Sequence, residues 1–144
     1  MSEERLTEEL LERLLASATP ESYLAGVETE DRDLAQYLGD LLADKGLTRA
    51  DAIRAAAINA THGYQAFQGT RKLGRDNAIK LAFGMRCTLR ETQRLLRFAG
   101  AAELWAKQRR DAIIIHCIER GLTREETDDE LFRLGEPTLL PEDF

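Results

Sequence analysis

The middle of the chain contains a run of hydrogen-bonding side chains, followed by a basic segment. The first group comprises Thr61, His62, Tyr64, Gln65 and Gln68. A glutamine can pair with adenine through two hydrogen bonds, and a threonine or tyrosine can reach phosphates or thymine methyl groups. The second group comprises Arg49, Thr70, Arg71, Lys72 and Arg75. These two groups predict base reading by the first and phosphate binding by the second.

Each of these residues also has a plainer interpretation. For Tyr64 and Phe67 we favour positions in the core over a role as stacking platforms for bases. Arg71 and Lys72 could lie in an ordinary solvated loop. Three further arginines share one face of a later predicted helix, where they could contact phosphates or pair with acidic segments of the chain. They are Arg90, Arg94 and Arg97.

Charge is divided unevenly along the chain, whose formal net charge is −6. Residues 1–46 carry a net charge of −8, residues 47–121 carry +8, and residues 122–144 carry −6. A basic middle is typical of proteins that bind a polyanion. Alternatively, the acidic ends fold against the basic middle and neutralise it. Charge alone leaves both interpretations open.

The composition favours helices and one core. The 144 residues include 22 Leu and 19 Ala, which favour helices, but only 7 Ile and one Val, which favour strands. This composition predicts an all-α fold. No apolar run approaches the ~20 residues that span a bilayer, and the amino-terminal residues lack the pattern of a secretory signal. The two cysteines, Cys87 and Cys117, suggest a reducing compartment. We therefore expect a cytoplasmic protein without a membrane partner.

Chemistry beyond binding has little support in the sequence. No phosphate-cradling glycine loop, nucleophile elbow or metalloprotease helix is present. The histidines and cysteines lack the paired spacing of zinc ligands. We expect no enzymatic activity, no cofactor and no metal site.

Apolar spacing, capping residues and glycine stops predict the helices. They cover residues 3–17, a short segment from Thr19 toward Gly26, then 34–46, 49–57, 61–69, 75–85, 89–99, 103–120 and 124–134. Residues 28–31 are predicted to be a linker, and a tail follows Pro137. The sequence Gly-Leu-Thr-Arg occurs at 46–49 and at 121–124. Because the residues that follow differ, we attribute this recurrence to helix capping and not to an internal repeat.

The short predicted helices 49–57 and 61–69, joined by three residues and followed by a basic loop, describe a helix-turn-helix. Residues 34–100 resemble the five-helix domain of the lambda-repressor-like (XRE-type) helix-turn-helix family. The shared marks are Leu41-Leu42, Lys45-Gly46-Leu47-Thr48, Ile58, Gly69-Thr70-Arg71-Lys72 and Leu81-Ala82-Phe83-Gly84-Met85, with a fifth helix over 88–96. The resemblance implies that the third helix enters the major groove, usually in a dimer on two half-sites.

Some positions depart from the family. Gly63 and Ala66 stand where the family usually has bulky aliphatic residues, and Ile53 replaces a small residue on the preceding helix. Phe67 stands where the family often has a carboxylate. We expect Tyr64 and Phe67 to supply the missing bulk through a shift in packing register.

The sequence thus predicts an acidic N-terminal helical arm over 1–32, a helix-turn-helix domain over 33–100, and C-terminal helices with an acidic tail over 101–144. The expected function is sequence-specific binding of double-stranded DNA by a homodimeric transcriptional regulator. The alternative is an adaptor that binds a protein partner, for example through its acidic arms. The apolar segment containing Leu104, Trp105 and residues 114–118 would either unite the arms with the central domain or form a dimer interface.

Overall fold

A computed structural model describes residues 3–27 and 30–141, with side chains from residue 8 onward, and all regular structure in these ranges is helical. The helices are α1 Glu3–Ala16, α2 Pro20–Ala25, α3 Leu34–Lys45, α4 Arg49–Ala56, α5 Ala60–Gln68, α6 Arg75–Gly84, α7 Leu89–Phe98, α8 Arg109–Glu119 and α9 Arg124–Arg133. The predicted all-α class is confirmed for this part of the chain. The chain divides into two compact units, with the boundary between Asp31 and Arg32. No described helix is both long enough and apolar enough to cross a membrane.

The predicted helices occur close to their expected positions, with one exception. The helix predicted over 103–120 is wrong at its start, because α8 begins at Arg109. The side chain of Gln93 hydrogen-bonds both the N–H and the carbonyl of Leu104, at 2.7 and 2.9 Å, so these backbone groups have side-chain partners in place of helical ones. Residues 28–29 of the predicted linker and residues 142–144 of the predicted tail lie outside the described residues.

Three threonines begin helices as the sequence predicts. The hydroxyl groups of Thr48, Thr88 and Thr123 each accept a hydrogen bond from the backbone N–H three residues later. At the second of these caps, Glu91 accepts from the backbone N–H of the threonine and from the Lys45 ammonium at 3.0 Å. Burial by itself raises the pKa of Glu91, but these hydrogen bonds outweigh burial and the pKa is lowered. The ion pair joins α3 to α7.

The core of the second unit draws on helices from both of its halves. Its largest fully buried apolar side chains are Leu38, Ile79, Leu81, Met85, Leu95, Leu96, Ile114 and Leu131. Ile114 and Leu131 belong to α8 and α9, so these helices pack on the same core as α3–α7. The approach of α4 to α6 is close, since a Cβ atom on Gly84 would lie 2.5 Å from the carbonyl oxygen of Ala52. The division into domains at residue 100 stays a prediction.

Two helical hairpins, α6–α7 and α8–α9, form an internal repeat with an offset of 35 residues. Between residues 75–104 and 110–139, nine of thirty aligned positions hold the same residue. They are Arg75/Arg110, Asp76/Asp111, Ile79/Ile114, Thr88/Thr123, Glu91/Glu126, Thr92/Thr127, Leu96/Leu131, Gly100/Gly135 and Leu104/Leu139. The recurring Gly-Leu-Thr-Arg marks helix starts, as predicted, but it does not share the register of this repeat.

The two hairpins exchange ion pairs at the starts of α6 and α8. Arg75 donates to both oxygens of Asp111, at 3.1 and 2.8 Å, and Arg110 donates to both oxygens of Asp76, at 2.9 and 3.1 Å. Each guanidinium also donates to two carbonyls in the loop that ends its own hairpin. These carbonyls belong to Ala102 and Glu103 for the first arginine and to Pro137 and Thr138 for the second. The repeat therefore has approximate two-fold symmetry.

Alanine substitution of the two symmetry-related aspartates tests this exchange. The side chain of Asp111 is 3% exposed and that of Asp76 is 45% exposed. Asp111→Ala should lower the free energy of unfolding by about 3 kcal/mol, because Arg75 and the Trp105 N–H lose a buried acceptor. Asp76→Ala should cost about 1 kcal/mol, because the pair it breaks is more open to water. Urea unfolding followed by circular dichroism measures both values, and equal losses would contradict the asymmetry.

Candidate nucleic-acid interface

Helix α5 is fixed at both ends by local hydrogen bonds. The Asn59 side chain accepts from the His62 N–H at 3.0 Å, and Gly69 ends the helix with a left-handed φ of 83°. The turn before α5 places Ala57 at a φ of 58° and buries Ile58. A helix of nine residues thus follows α4 after a turn of three residues.

The residues predicted to read bases differ in their exposure. Thr61, Tyr64 and Gln68 are exposed, whereas His62 and Gln65 are half-buried. The opposite face of α5 is buried and consists of Gly63, Ala66 and Phe67. The prediction of a core position is confirmed for Phe67. It is wrong for Tyr64, because the inward positions of the helix are taken by its neighbours at 63, 66 and 67.

Two of the departures from the family pattern, at Ile53 and Gly63, compensate for each other in the packing of α4 against α5. Ile53 of α4 is 4% exposed and fills the space above Gly63 of α5. A Cβ atom on this glycine would lie 2.8 Å from Cγ1 and 2.9 Å from Cδ1 of the isoleucine. The bulk that the sequence lacks on α5 is therefore supplied by α4. The expected shift in packing register does not occur at Tyr64, because this side chain is exposed and supplies no bulk to the core.

The segment after α5, residues 69–74, is hereafter the basic loop. Leu73 is buried and anchors it, while Thr70, Arg71 and Lys72 are exposed. The Thr70 hydroxyl donates to the carbonyl of Gln65 at 3.3 Å. Among the described residues, neither cation of this loop forms an ion pair with a carboxylate.

Arg49 and Arg75 have different surroundings. Arg49 is exposed, and its guanidinium lies 5.8 Å from the centroid of the Phe67 ring. Arg75 donates to Asp111 and to the carbonyls of Ala102 and Glu103, so its guanidinium is already occupied within the protein. The structure thus leaves Arg49, but not Arg75, open to a phosphate.

The acidic C-terminal segment finds partners near itself. Within the part of the chain that the structure describes, its ion pairs across the loops and within α9 are Arg109–Glu136, Arg124–Glu125, Arg124–Asp128 and Arg133–Glu130. A hydrogen bond from Arg133 lowers the pKa of Glu130. These carboxylates therefore do not neutralise the basic loop.

An open groove of about 580 Å³ lies beside the basic loop. Its apolar lining includes Leu34, Ala66 and Phe98, and Arg71 and Lys72 also line it. A volume of this size suits a small ligand or a few apolar side chains.

The described residues contain no group of three or more His, Cys, Asp or Glu side chains placed to hold a metal ion. Burial raises the pKa of the Cys87 thiol to about 12 and also raises that of Cys117. Because their pKa values are raised, both thiols are protonated and poor nucleophiles at neutral pH.

Comparison of the chain with known protein families, with curated proteins and with solved structures gives no match.

The exchange between Ile53 and Gly63 is testable with a matched glycine. Gly39 lies in an exposed position of α3, where an added Cβ atom would have nothing within 4 Å, so Gly39→Ala should stabilise the protein by about 0.5–1 kcal/mol. Gly63→Ala should destabilise it by about 1–3 kcal/mol, because the added methyl overlaps the isoleucine. In an Ile53→Ala background the same glycine substitution should become stabilising. Urea titrations of the four variants measure this coupling, and additive effects would argue against the contact.

Proposed function

We propose that the chain binds double-stranded DNA through a helix-turn-helix formed by α4 and α5. The proposal is supported by the turn of three residues between α4 and α5 and by the resemblance of residues 34–100 to the lambda-repressor-like family. In this proposal α5 lies in the major groove and the basic loop holds the sugar–phosphate backbone. The chain then acts as a sequence-specific transcriptional regulator.

One observation carries this proposal: exposed cations follow directly after a short helix with an exposed polar face. Arg71 and Lys72 lie within four residues of the end of α5 and have no carboxylate partner in the described structure. Unpaired cations at this position favour an anionic ligand, because pairing them with phosphates releases condensed counterions.

The roles within the proposed interface follow from the position of each residue on α5 or in its flanking segments. Base contacts are assigned to Thr61, His62, Tyr64, Gln65 and Gln68. Phosphate contacts are assigned to Arg49, Thr70, Arg71 and Lys72. Arg75 is left out of the phosphate contacts, because its hydrogen bonds serve the contact between the two hairpins.

Two copies of the chain are proposed to bind two half-sites about one helical turn apart, as the family resemblance implies. A homodimer would double the number of phosphate contacts. It would also read a sequence long enough to be selective.

A protein-binding adaptor is the second candidate. The open groove beside the basic loop favours it, since apolar residues such as Leu34 and Phe98 line a volume that can take side chains of a partner. The net charge of −6 also weakens long-range attraction to DNA. Failure to retain any duplex at low salt would favour this candidate.

The first test is selection of bound sequences from pooled random duplexes at two salt concentrations. On the sequence retained, Gln65→Ala should cost on the order of 1–3 kcal/mol, because one bidentate base contact is lost. On random duplexes of the same length the variant should bind as the unsubstituted protein does. Equal losses on both kinds of DNA, measured by fluorescence anisotropy, would remove Gln65 from base reading.

The second test separates phosphate contacts from general charge. Arg71→Glu should weaken binding to all duplexes and reduce the slope of log affinity against log salt by about 1. Arg120→Glu is the matched control, since this exposed arginine ends α8 and lies outside the proposed interface. The control should change the salt slope little. Indistinguishable slopes for the two variants would argue against a role of the basic loop in phosphate binding.

A further inference from the structure

The loop that joins the two hairpins, residues 101–108, presents an exposed aromatic residue. We call it the Trp105 loop. The Trp105 side chain is 57% exposed, and the Lys107 ammonium lies 5.9 Å from the centroid of a ring of its indole. A large exposed aromatic beside a cation is a common feature of recognition surfaces.

Hydrogen bonds to side chains hold the backbone of this loop in place. Gln93 bonds both backbone groups of Leu104, and Asp111 accepts from the Trp105 N–H at 3.0 Å. The Trp105 carbonyl in turn accepts from the Gln108 N–H. The exposed indole is therefore mounted on an ordered backbone, which lowers the entropic cost of using it in binding.

The internal repeat relates the Trp105 loop to the basic loop. The basic loop immediately precedes Arg75, and the Trp105 loop occupies the same place before Arg110. Extending the 35-residue register backwards aligns Lys107 with Lys72. The reciprocal ion pairs between the hairpins bring the starts of α6 and α8 together, so each loop leads into the same contact.

Local charge also favours an anionic partner. The nearby carboxylates of Glu103, Asp111 and Glu136 each have an arginine partner, at 3.9, 2.8 and 3.2 Å respectively. Lys107 has no carboxylate partner among the described residues, and its alignment with Lys72 makes it the counterpart of a proposed phosphate contact. A lysine without a carboxylate partner thus stands three residues before the first arginine of each copy.

We propose that the Trp105 loop is a second contact to the phosphodiester backbone of double-stranded DNA, next to the segment bound by the basic loop. Lys107 neutralises one phosphate, and the indole of Trp105 packs against the adjoining deoxyribose. This inference rests on the proposed DNA binding and extends its footprint to the second hairpin. It assigns the two-fold repeat a role in presenting the basic loop and the Trp105 loop to one duplex.

Trp105 is the chain's single tryptophan, so its fluorescence reports on this contact directly. In the full chain, titration with a 30-base-pair duplex of random sequence should reduce acrylamide quenching of the indole. Quenching unchanged at saturating DNA would overturn the inference. Protection that is already present without DNA and that grows with protein concentration would also overturn it, because the loop would then be a contact between protein copies.

Substitutions give an independent readout. Lys107→Glu should lower affinity for the same duplex about tenfold at low salt and reduce the salt slope by about 1, with Arg120→Glu as the charge-matched control. Trp105→Ala should lower affinity about fivefold or more. Phe132→Ala is its control, because Phe132 is 71% exposed on α9, outside both loops. Both substitutions in the Trp105 loop are at exposed positions. The two variants should therefore have the same urea midpoint of unfolding as the unsubstituted chain.

The outcomes distinguish the inference from the proposed function. If Arg71→Glu weakens binding while the Lys107 and Trp105 variants bind like their controls, the inference fails and the proposed function stands. If the unsubstituted chain binds no duplex, both fail.

Discussion

The contact between the two hairpins of the second unit depends on the reciprocal pairing of two arginines with two aspartates at the starts of α6 and α8. Arg75 and Arg110 each bridge to the other hairpin and also hold the loop that ends their own. A guanidinium has five donors in a rigid plane, which is why one side chain can hold a carboxylate and two carbonyls at once. The same geometry explains the irregular backbone of the Trp105 loop, because its carbonyls bond to side chains.

The pairing also constrains the candidate interface. The basic loop runs from the end of α5 to Arg75, and the arginine at its far end is fixed by Asp111. At its near end the loop is fixed by the left-handed Gly69, and the buried Leu73 anchors it just before Arg75. Arg71 and Lys72 are therefore carried by a short segment that is held on both sides, while their own side chains extend into solvent.

Much of the fold could be predicted because threonine caps and glycine stops are local signals, set by residues three or four positions apart. The internal role of Arg75 could not be predicted, because the carbonyl groups that it contacts lie 27 or more residues away in sequence. The start of α8 could not be predicted either, because it depends on the hydrogen bonds of Gln93 to Leu104. In the candidate site, Ile53 and Gly63 are visible as two separate departures, but only packing shows that one compensates for the other. The 35-residue repeat is a weaker sequence signal than the contiguous Gly-Leu-Thr-Arg recurrence, because its nine identical positions are spread over thirty residues.

The ion pairs of the fold change the interpretation of the uneven charge distribution along the chain. The basic middle of the chain is not one surface, since Arg75 and Arg110 serve the contact between the hairpins and Lys45 joins α3 to α7. The carboxylates of the C-terminal segment, in turn, pair with arginines of α8 and α9. Among the described residues, the exposed cations that form no ion pair include those of the proposed contacts and three others, namely Arg49, Arg71, Lys72 and Lys107, and Arg86, Arg90 and Arg120. A chain with a net negative charge can still offer phosphates a local site, because Arg71 and Lys72 lie side by side in the basic loop without a carboxylate partner among the described residues.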